Sequence, residues 1–520
     1  MKMYKSNILF VVFQVSFILS ISAQKRAEIL DEYAKNPSAS ILPNFSYVGY
    51  HHGEKAIPDV KAKVFDVTKF GAIPNDAISD KQAIEKTIAE ATKNGGGIVY
   101  FPKGRFLINE DGDNHTPIKI NCSNIVFRGS GAGKNGTELF MKNKLDPADP
   151  TKMWTTPSMI QFNTSAKNIN IGQVVSPAAK GSFNIEANNV KDLKAGDWIY
   201  LEMKSTDPNL LKYEIGDLKV DDTWTYILNE GVHVKVVHQV KSVSNNTLTL
   251  VSPIIYPIDP KHKWEVYKYS HNTEVGIEEI AFVGNWKDKF VHHGSATDDS
   301  GWSLIQFSKT TNSWIRNTRF TDVNVAVQIG GGANISVLNC LIDGNPGHEA
   351  IFNLGATNVL LGNLVDKAGM WHSYGVNGFS TNTVLYNVTY PPTTCFESHS
   401  SQPRNTLLDN VTGGLLSGRA GGALFNMPNH LSGLVFWNYK QTNEAVSNFD
   451  FWPTVEENKW WRMPFPILVG YHGANTSFVK SHLKYTESMG ERVNPSSLYE
   501  AQLLLRLGQL PQWLTSLKSE

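Results

Sequence analysis

The pair Asn-x4-Asn recurs at Asn312/Asn317, Asn334/Asn339, Asn358/Asn363, Asn382/Asn387 and Asn405/Asn410, in steps of 22 to 24 residues. Between the pairs runs strand-type alternation, as in Ile335, Val337 and then Leu338 to Ile342, which sends successive side chains to opposite faces. A short repeat of this kind predicts a β-solenoid with coils stacked about 4.8 Å apart. Helical repeats of similar length need amphipathic runs of roughly ten or more residues. Gly330-Gly331-Gly332, Gly344, Gly355, Gly369 and Gly378 interrupt any such run. The asparagines themselves read as an internal or turn ladder, each amide bonding its counterpart one coil away, and are given no catalytic role.

The segment KVFDVTKFGAIPNDAISDKQAIEKTIAEATKNGGGIVYFPKGRFLI supplies a strand around Val64 to Val67 and a helix with Asp80 as N-cap. The helix has apolar positions at Ala83, Ile84, Thr87, Ile88 and Ala91 and closes at Asn94-Gly95; a strand, Ile98 to Phe101, follows. The FGA, the Asp80-led helix and GGGIVYFPKGRFLI resemble the opening of pectate-lyase-like, right-handed parallel β-helix proteins, in which such a helix caps the open end of the solenoid. The family's usual Asp-Gly-rich turn is replaced here by IPNDAISD. The resemblance implies an all-β, right-handed parallel β-helix and an extracellular polysaccharide-degrading activity.

The periodicity divides the rest. Residues 1–23 read as a secretory signal, with Lys2 and Lys5 before an apolar run and small residues Ser20, Ser22 and Ala23 after it. A secreted, periplasmic or cell-surface protein is therefore expected. Residues 24–60 form an N-terminal extension, 61–150 start the β-helix with its capping helix, and 151–270 form a β-rich insertion where the repeat is lost. Residues 271–480 carry the main β-helix, and 481–520 a C-terminal capping helix, with Asn494 as cap, Pro495 opening it and Gly508 stopping it. No later segment has an apolar run long enough to span a bilayer. Cys122, Cys340 and Cys395 are too few and too scattered for a disulfide framework or a thiolate zinc site. Lys+Arg and Asp+Glu are equal at 48 each, so no global field gathers nucleic acid. A monomer acting on an acidic polysaccharide is expected.

Aligned on the ladder, the coils place Ala326, His348, His372, Phe396 and Arg419 in one column and Gln328, Ala350, Tyr374, Ser398 and Gly421 two positions on, with Val327, Ile329 and Ile351 as core between them. His348 and His372 should be neighbours about 5 Å apart on the outer face. Phe396 breaks the column; a one-residue slip near Pro391-Pro392 would turn it inward and bring Glu397 and His399 outward. The expected wall is His348, His372, Tyr374, Glu397, His399 and Arg419, with Arg404 on the adjoining turn.

Cleavage of a uronic-acid polymer by β-elimination needs a base for the C5 proton, a positive group for the carboxylate and an acid for the leaving oxygen. His372 or His399 is expected as base and Tyr374 as acid. Arg404 or Arg419 with His348 would neutralise the carboxylate, and Glu397 would orient a histidine or bind a cation. Hydrolysis needs two carboxyl groups across the bond, and Glu349, Glu397, Asp366, Asp343 and Asp409 are the candidates. A non-catalytic carbohydrate-binding β-helix would not need the His-Tyr-Arg register. The fold alone does not choose among these. The loop DKFVHHGSATDDSGW offers His292, His293, Asp298 and Asp299 to a divalent ion. Its spacing matches no specific metal motif, so a solvated loop is the first reading and a cation site the second. The sequence names no cofactor beyond a divalent cation such as calcium, and leaves pectin, alginate, glycosaminoglycan and sulfated uronides such as ulvan open as substrates.

Overall fold

The asparagine ladder forms as expected, and its geometry explains why asparagine is used. All ten residues have positive φ, between 45° and 59°. Among side-chain-bearing residues asparagine tolerates this left-handed conformation best, and its amide can bond to the next coil at the same time. Nδ2 of Asn334 donates to Asn312, Asn358 to Asn334, Asn382 to Asn358, and Asn405 to Asn382, at 3.1 to 3.4 Å. Each pair therefore turns the chain twice and locks one coil to the next.

The computed structural model describes residues 25–517; the leader read over residues 1–23 lies outside them. No helix of the described residues is long and apolar enough to cross a membrane. The coils stack as one parallel sheet system of twenty-one strands. One continuous line of pairings runs from Val64–Asp66 through Gly97–Tyr100, Ile125–Arg128 and Gly276–Glu278 into the long strands Ser303–Thr321 and Val325–Asp343. It continues through Thr357–Asp366, Thr381–Tyr386, Arg404–Asp409, Leu434–Trp437 and Ile467–Val469 to Tyr485–Glu487. Inside, stacked apolar columns such as Val327, Ile351, Tyr374 and Phe396 fill the core.

Helix Lys81–Lys93 buries the five positions expected of it, Ala83, Ile84, Thr87, Ile88 and Ala91, against Phe65, Val99 and Phe127 of the first coils. Asp80 precedes it, but its carboxylate accepts from the amides of Ile73 and Leu107 rather than capping the helix. The C-terminal helix spans Leu498–Leu507. Its cap is Ser497, whose hydroxyl accepts from the Glu500 amide, not Asn494; Asn494 instead pairs in a short parallel bridge with Arg26. The helix start is displaced because the buried carboxylate of Asp409 takes the amides of Leu498 and Tyr499. Gly508 ends the helix at φ 75°, as expected.

This helix and the N-terminal helix Glu28–Lys35 lie along the flank of the solenoid. They cover an outward column of Leu360, Val384, Leu407, Val435 and Ile467, with Leu338 beside it. That is why those strands read as apolar on both faces.

The chain leaves the solenoid after Ile160–Phe162 and builds a six-stranded antiparallel sheet between Ile169 and Lys268, with its own core around Ile199, Val234 and Trp264. It is tied back by buried contacts. The Arg404 guanidinium donates to Glu214 Oε1 at 2.6 Å and to the carbonyl of His233 at 2.9 Å, and the amide of His233 donates to Gln402.

Candidate active site

Strands Glu349–Asn353, His372–Val376 and Glu397–Ser398 stack in successive coils and form one wall. His348 and His372 are neighbours on it, with ring centroids 5.3 Å apart. Their register differs from the ladder-derived one. His372 pairs with Glu349 and Tyr374 with Ile351, a step of 23 residues, although the flanking asparagines step by 24. The next coil takes 22 residues from Gly375 to Glu397. The turns after Val376 and Ser398 are each one residue longer than the turn before them and take up the difference, so the ladder keeps its register while the wall slips.

The slip does what was expected for Phe396, Glu397 and His399 but begins one coil early. Phe396 is buried in the core, and the Glu397 carboxylate sits on the wall beside the His372 and His399 rings. Tyr374 moves with it. It lies in the core column, fully buried, with its hydroxyl unpartnered and its pKa driven well above the usual value by burial. The expectation that Tyr374 faces outward as an acid is therefore corrected. Arg404 is corrected too: it is buried and already paired with Glu214, so it holds the insertion rather than a substrate.

Arg419 does reach the wall. Its guanidinium lies 3.4 Å from the Trp371 ring centre and donates to the Trp371 carbonyl at 3.1 Å. The loop carrying His292 and His293 folds over the same place. The ring of His292 stacks on Trp371 at 4.8 Å and lies 5.5 Å from His348 and 5.6 Å from His372. The four expected loop residues separate: Asp298 accepts from the Val291 amide and the Ser295 hydroxyl and only closes the loop. Asp299 is buried and accepts from His293 Nδ1 at 2.7 Å. The arrival of this loop on the wall had no signal in the sequence beyond the adjacent histidines.

Residues 64–181 match the family model described as rhamnogalacturonase A/epimerase, pectate lyase-like. The chain folds as a right-handed parallel β-helix, and its opening coils are similar to those of pectate-lyase-like proteins. Residues 369–517, which carry His372, Glu397, His399 and Arg419, match a domain of unknown function, DUF4955. Among solved structures, the tailspike protein gp49 from Pseudomonas phage LKA1 is 14% identical, covering 79% of this chain and 71% of its own, with a TM-score of 0.45. PfbA, a surface adhesin of Streptococcus pneumoniae, is 11% identical over 80% of each chain, with a TM-score of 0.40. The A-module of the Azotobacter vinelandii mannuronan C-5 epimerase AlgE4 is 10% identical, covering 83% of this chain and 96% of its own, with a TM-score of 0.36. No curated protein matches the sequence.

On this β-helix wall the electrostatics distinguish the histidines. His372 is 3% exposed; burial, then the imidazoles of His348 and His399, keep its pKa far below the ordinary value, so it is neutral. Burial and the adjoining His293 and His348 lower His292 to about 4. His293 is held above the ordinary value by its hydrogen bond to Asp299. For His399 burial acts downward, but the charge and hydrogen bond of Glu397 outweigh it and the pKa rises. Its Nδ1 lies 2.8 Å from Glu397 Oε1. Since a carboxylate only accepts, Nδ1 carries the proton and Nε2 the lone pair. The side chain is 30% exposed, enough to meet a ligand. Glu397 is fully buried, oriented as a partner and not as an attacking group.

Gly421 makes room for this dyad. A Cβ there would collide with Glu397 Oε1 and come within 2.6 Å of His399 Nδ1. Gly421→Ala is expected to displace the imidazole and lower kcat by about 10²-fold. Steady-state kinetics, with circular dichroism confirming the unchanged fold, checks this.

Proposed function

We propose that this protein is a secreted lyase that cleaves a uronic-acid-containing acidic polysaccharide by β-elimination. The observation that supports it most is the Glu397–His399 pair, an accessible imidazole whose tautomer is fixed by a buried carboxylate. Two residues before Gly421, which packs on that imidazole, Arg419 supplies the positive charge.

In this reading His399 Nε2 removes the C5 proton of a uronate residue. The C–H electrons form the C4=C5 double bond, the bond from C4 to the glycosidic oxygen breaks, and that oxygen takes the proton back from the imidazolium. One histidine thus serves as base and then as acid, which leaves no step for the buried Tyr374. Arg419 pairs with the C5 carboxylate and makes the carbanion-like state reachable. His372 is covered and neutral and packs beside Glu397, its Nδ1 3.4 Å from Oε2, without taking part in the proton transfers.

The sign of the pH dependence follows. A base must be unprotonated, and the His399 pKa is raised, so kcat/KM is expected to climb with pH through an ionisation above the ordinary histidine value. Glu397→Gln removes the raising charge. Its acid limb should move to lower pH while kcat falls, and a profile unmoved by the substitution would contradict the dyad.

A glycoside hydrolase is the second reading, favoured by one feature: burial raises the pKa of Glu349, a property of a general acid, and Glu397 adds to the shift. A panel of acidic polysaccharides separates the two. Elimination produces ultraviolet absorbance from the new double bond together with reducing ends; hydrolysis produces reducing ends alone.

A further inference from the structure

We infer that His292, His293 and His348 form a binding site for a borderline divalent transition metal of the zinc class. One ring nitrogen from each of the three lies within 4.8 Å of the others. Two of the rings are set by a single residue. His348 Nδ1 lies 3.0 Å from the backbone carbonyl of Asp299, and His293 Nδ1 lies 2.7 Å from its carboxylate. Both oxygens accept, so both Nδ1 atoms carry protons, and the Nε2 lone pairs of the two histidines are left unused. A carboxylate or carbonyl behind the imidazole is how metal-ligating histidines are oriented. Asp299 is 1% exposed and also accepts from the His293 amide, which fixes this support rigidly.

A fourth imidazole stands behind the three. His372 is 3% exposed, its Nδ1 has no hydrogen-bond partner, and its ring lies 5.3 Å from His348 and 5.6 Å from His292. Four imidazoles crowded together without bridging carboxylates form a poor site for calcium, which takes six to eight oxygens. Nitrogen donors without thiolates suit zinc, cobalt, nickel or copper. Zinc–nitrogen bonds of about 2.0–2.1 Å in tetrahedral geometry bring donors about 3.3 Å apart, so binding draws the three rings together. Asp299 holds His293 and His348, so His292, stacked on Trp371, is the ring that closes the distance. Three protein ligands leave a fourth position open to water or to a sugar oxygen.

The test uses the full chain, stripped with a chelator and titrated with zinc by calorimetry, then with cobalt to record its visible spectrum. One ion per chain is expected, with a cobalt spectrum of tetrahedral intensity. His348→Ala should weaken binding at least about 100-fold and Asp299→Asn about 10- to 100-fold. His472→Ala, remote from the wall, should bind normally. His292→Ala and His293→Ala lie in the exposed loop and carry the test if His348→Ala fails to fold. No binding by the full chain, or equal affinity in the loop variants, would overturn the inference. The readout involves no turnover, so it succeeds or fails separately from the lyase reading.

Discussion

His399→Ala is expected to reduce kcat on the cleaved polysaccharide by about 10³- to 10⁴-fold, because the same imidazole supplies both proton transfers. The substitution should leave circular dichroism and thermal unfolding close to those of the parent, since the side chain is partly exposed and its one hydrogen bond is to Glu397. Tyr374→Phe is the informative companion. The hydroxyl is enclosed in the core with no partner, so its removal should leave kcat within about two-fold of the parent and stability unchanged or slightly improved. A Tyr374→Phe variant as impaired as His399→Ala would return the acid role to the tyrosine and contradict the assignment of both proton transfers to His399.

Arg404→Ala should give the largest loss of stability. Glu214 is fully buried against it, and removing one partner of a buried ion pair costs about 3–5 kcal/mol because the remaining charge is uncompensated. Two further acceptors, the carbonyls of His233 and Gln402, lose their donor. The expected result is a marked fall in Tm, with the antiparallel insertion losing its attachment to the solenoid before the coils unfold. Pairing Arg404→Met with Glu214→Leu should restore most of the loss, since no isolated charge is then left behind. Calorimetry of the single and double variants measures this. Parent-like stability in Arg404→Ala would show that the pair contributes nothing.

The solenoid was legible because its signal is local and repeated. Each ladder asparagine satisfies a left-handed turn and an amide bond at the same time, so the sequence carries the period openly. The wall was legible only in part. His348 and His372 could be placed side by side because their separation is close to one coil. Tyr374 could not be placed, because a turn two residues beyond it absorbs the register change and a slip of one residue exchanges core for surface. Arg404 was misassigned for a different reason. Its partner Glu214 lies 190 residues earlier, in a segment outside the repeat, and nothing local marks the pair. The same limit hid the tie between Asp299 and His348, made across 49 residues through a backbone carbonyl that no side-chain pattern can report.

The most direct measurement is the mass of the products released from a defined acidic oligosaccharide. Elimination predicts two fragments whose masses sum to that of the substrate, the one from the non-reducing side of the new double bond ending in an ordinary reducing sugar and the other bearing an unsaturated uronate. Fragments whose masses sum to the substrate plus one water would establish hydrolysis and contradict the role given to His399.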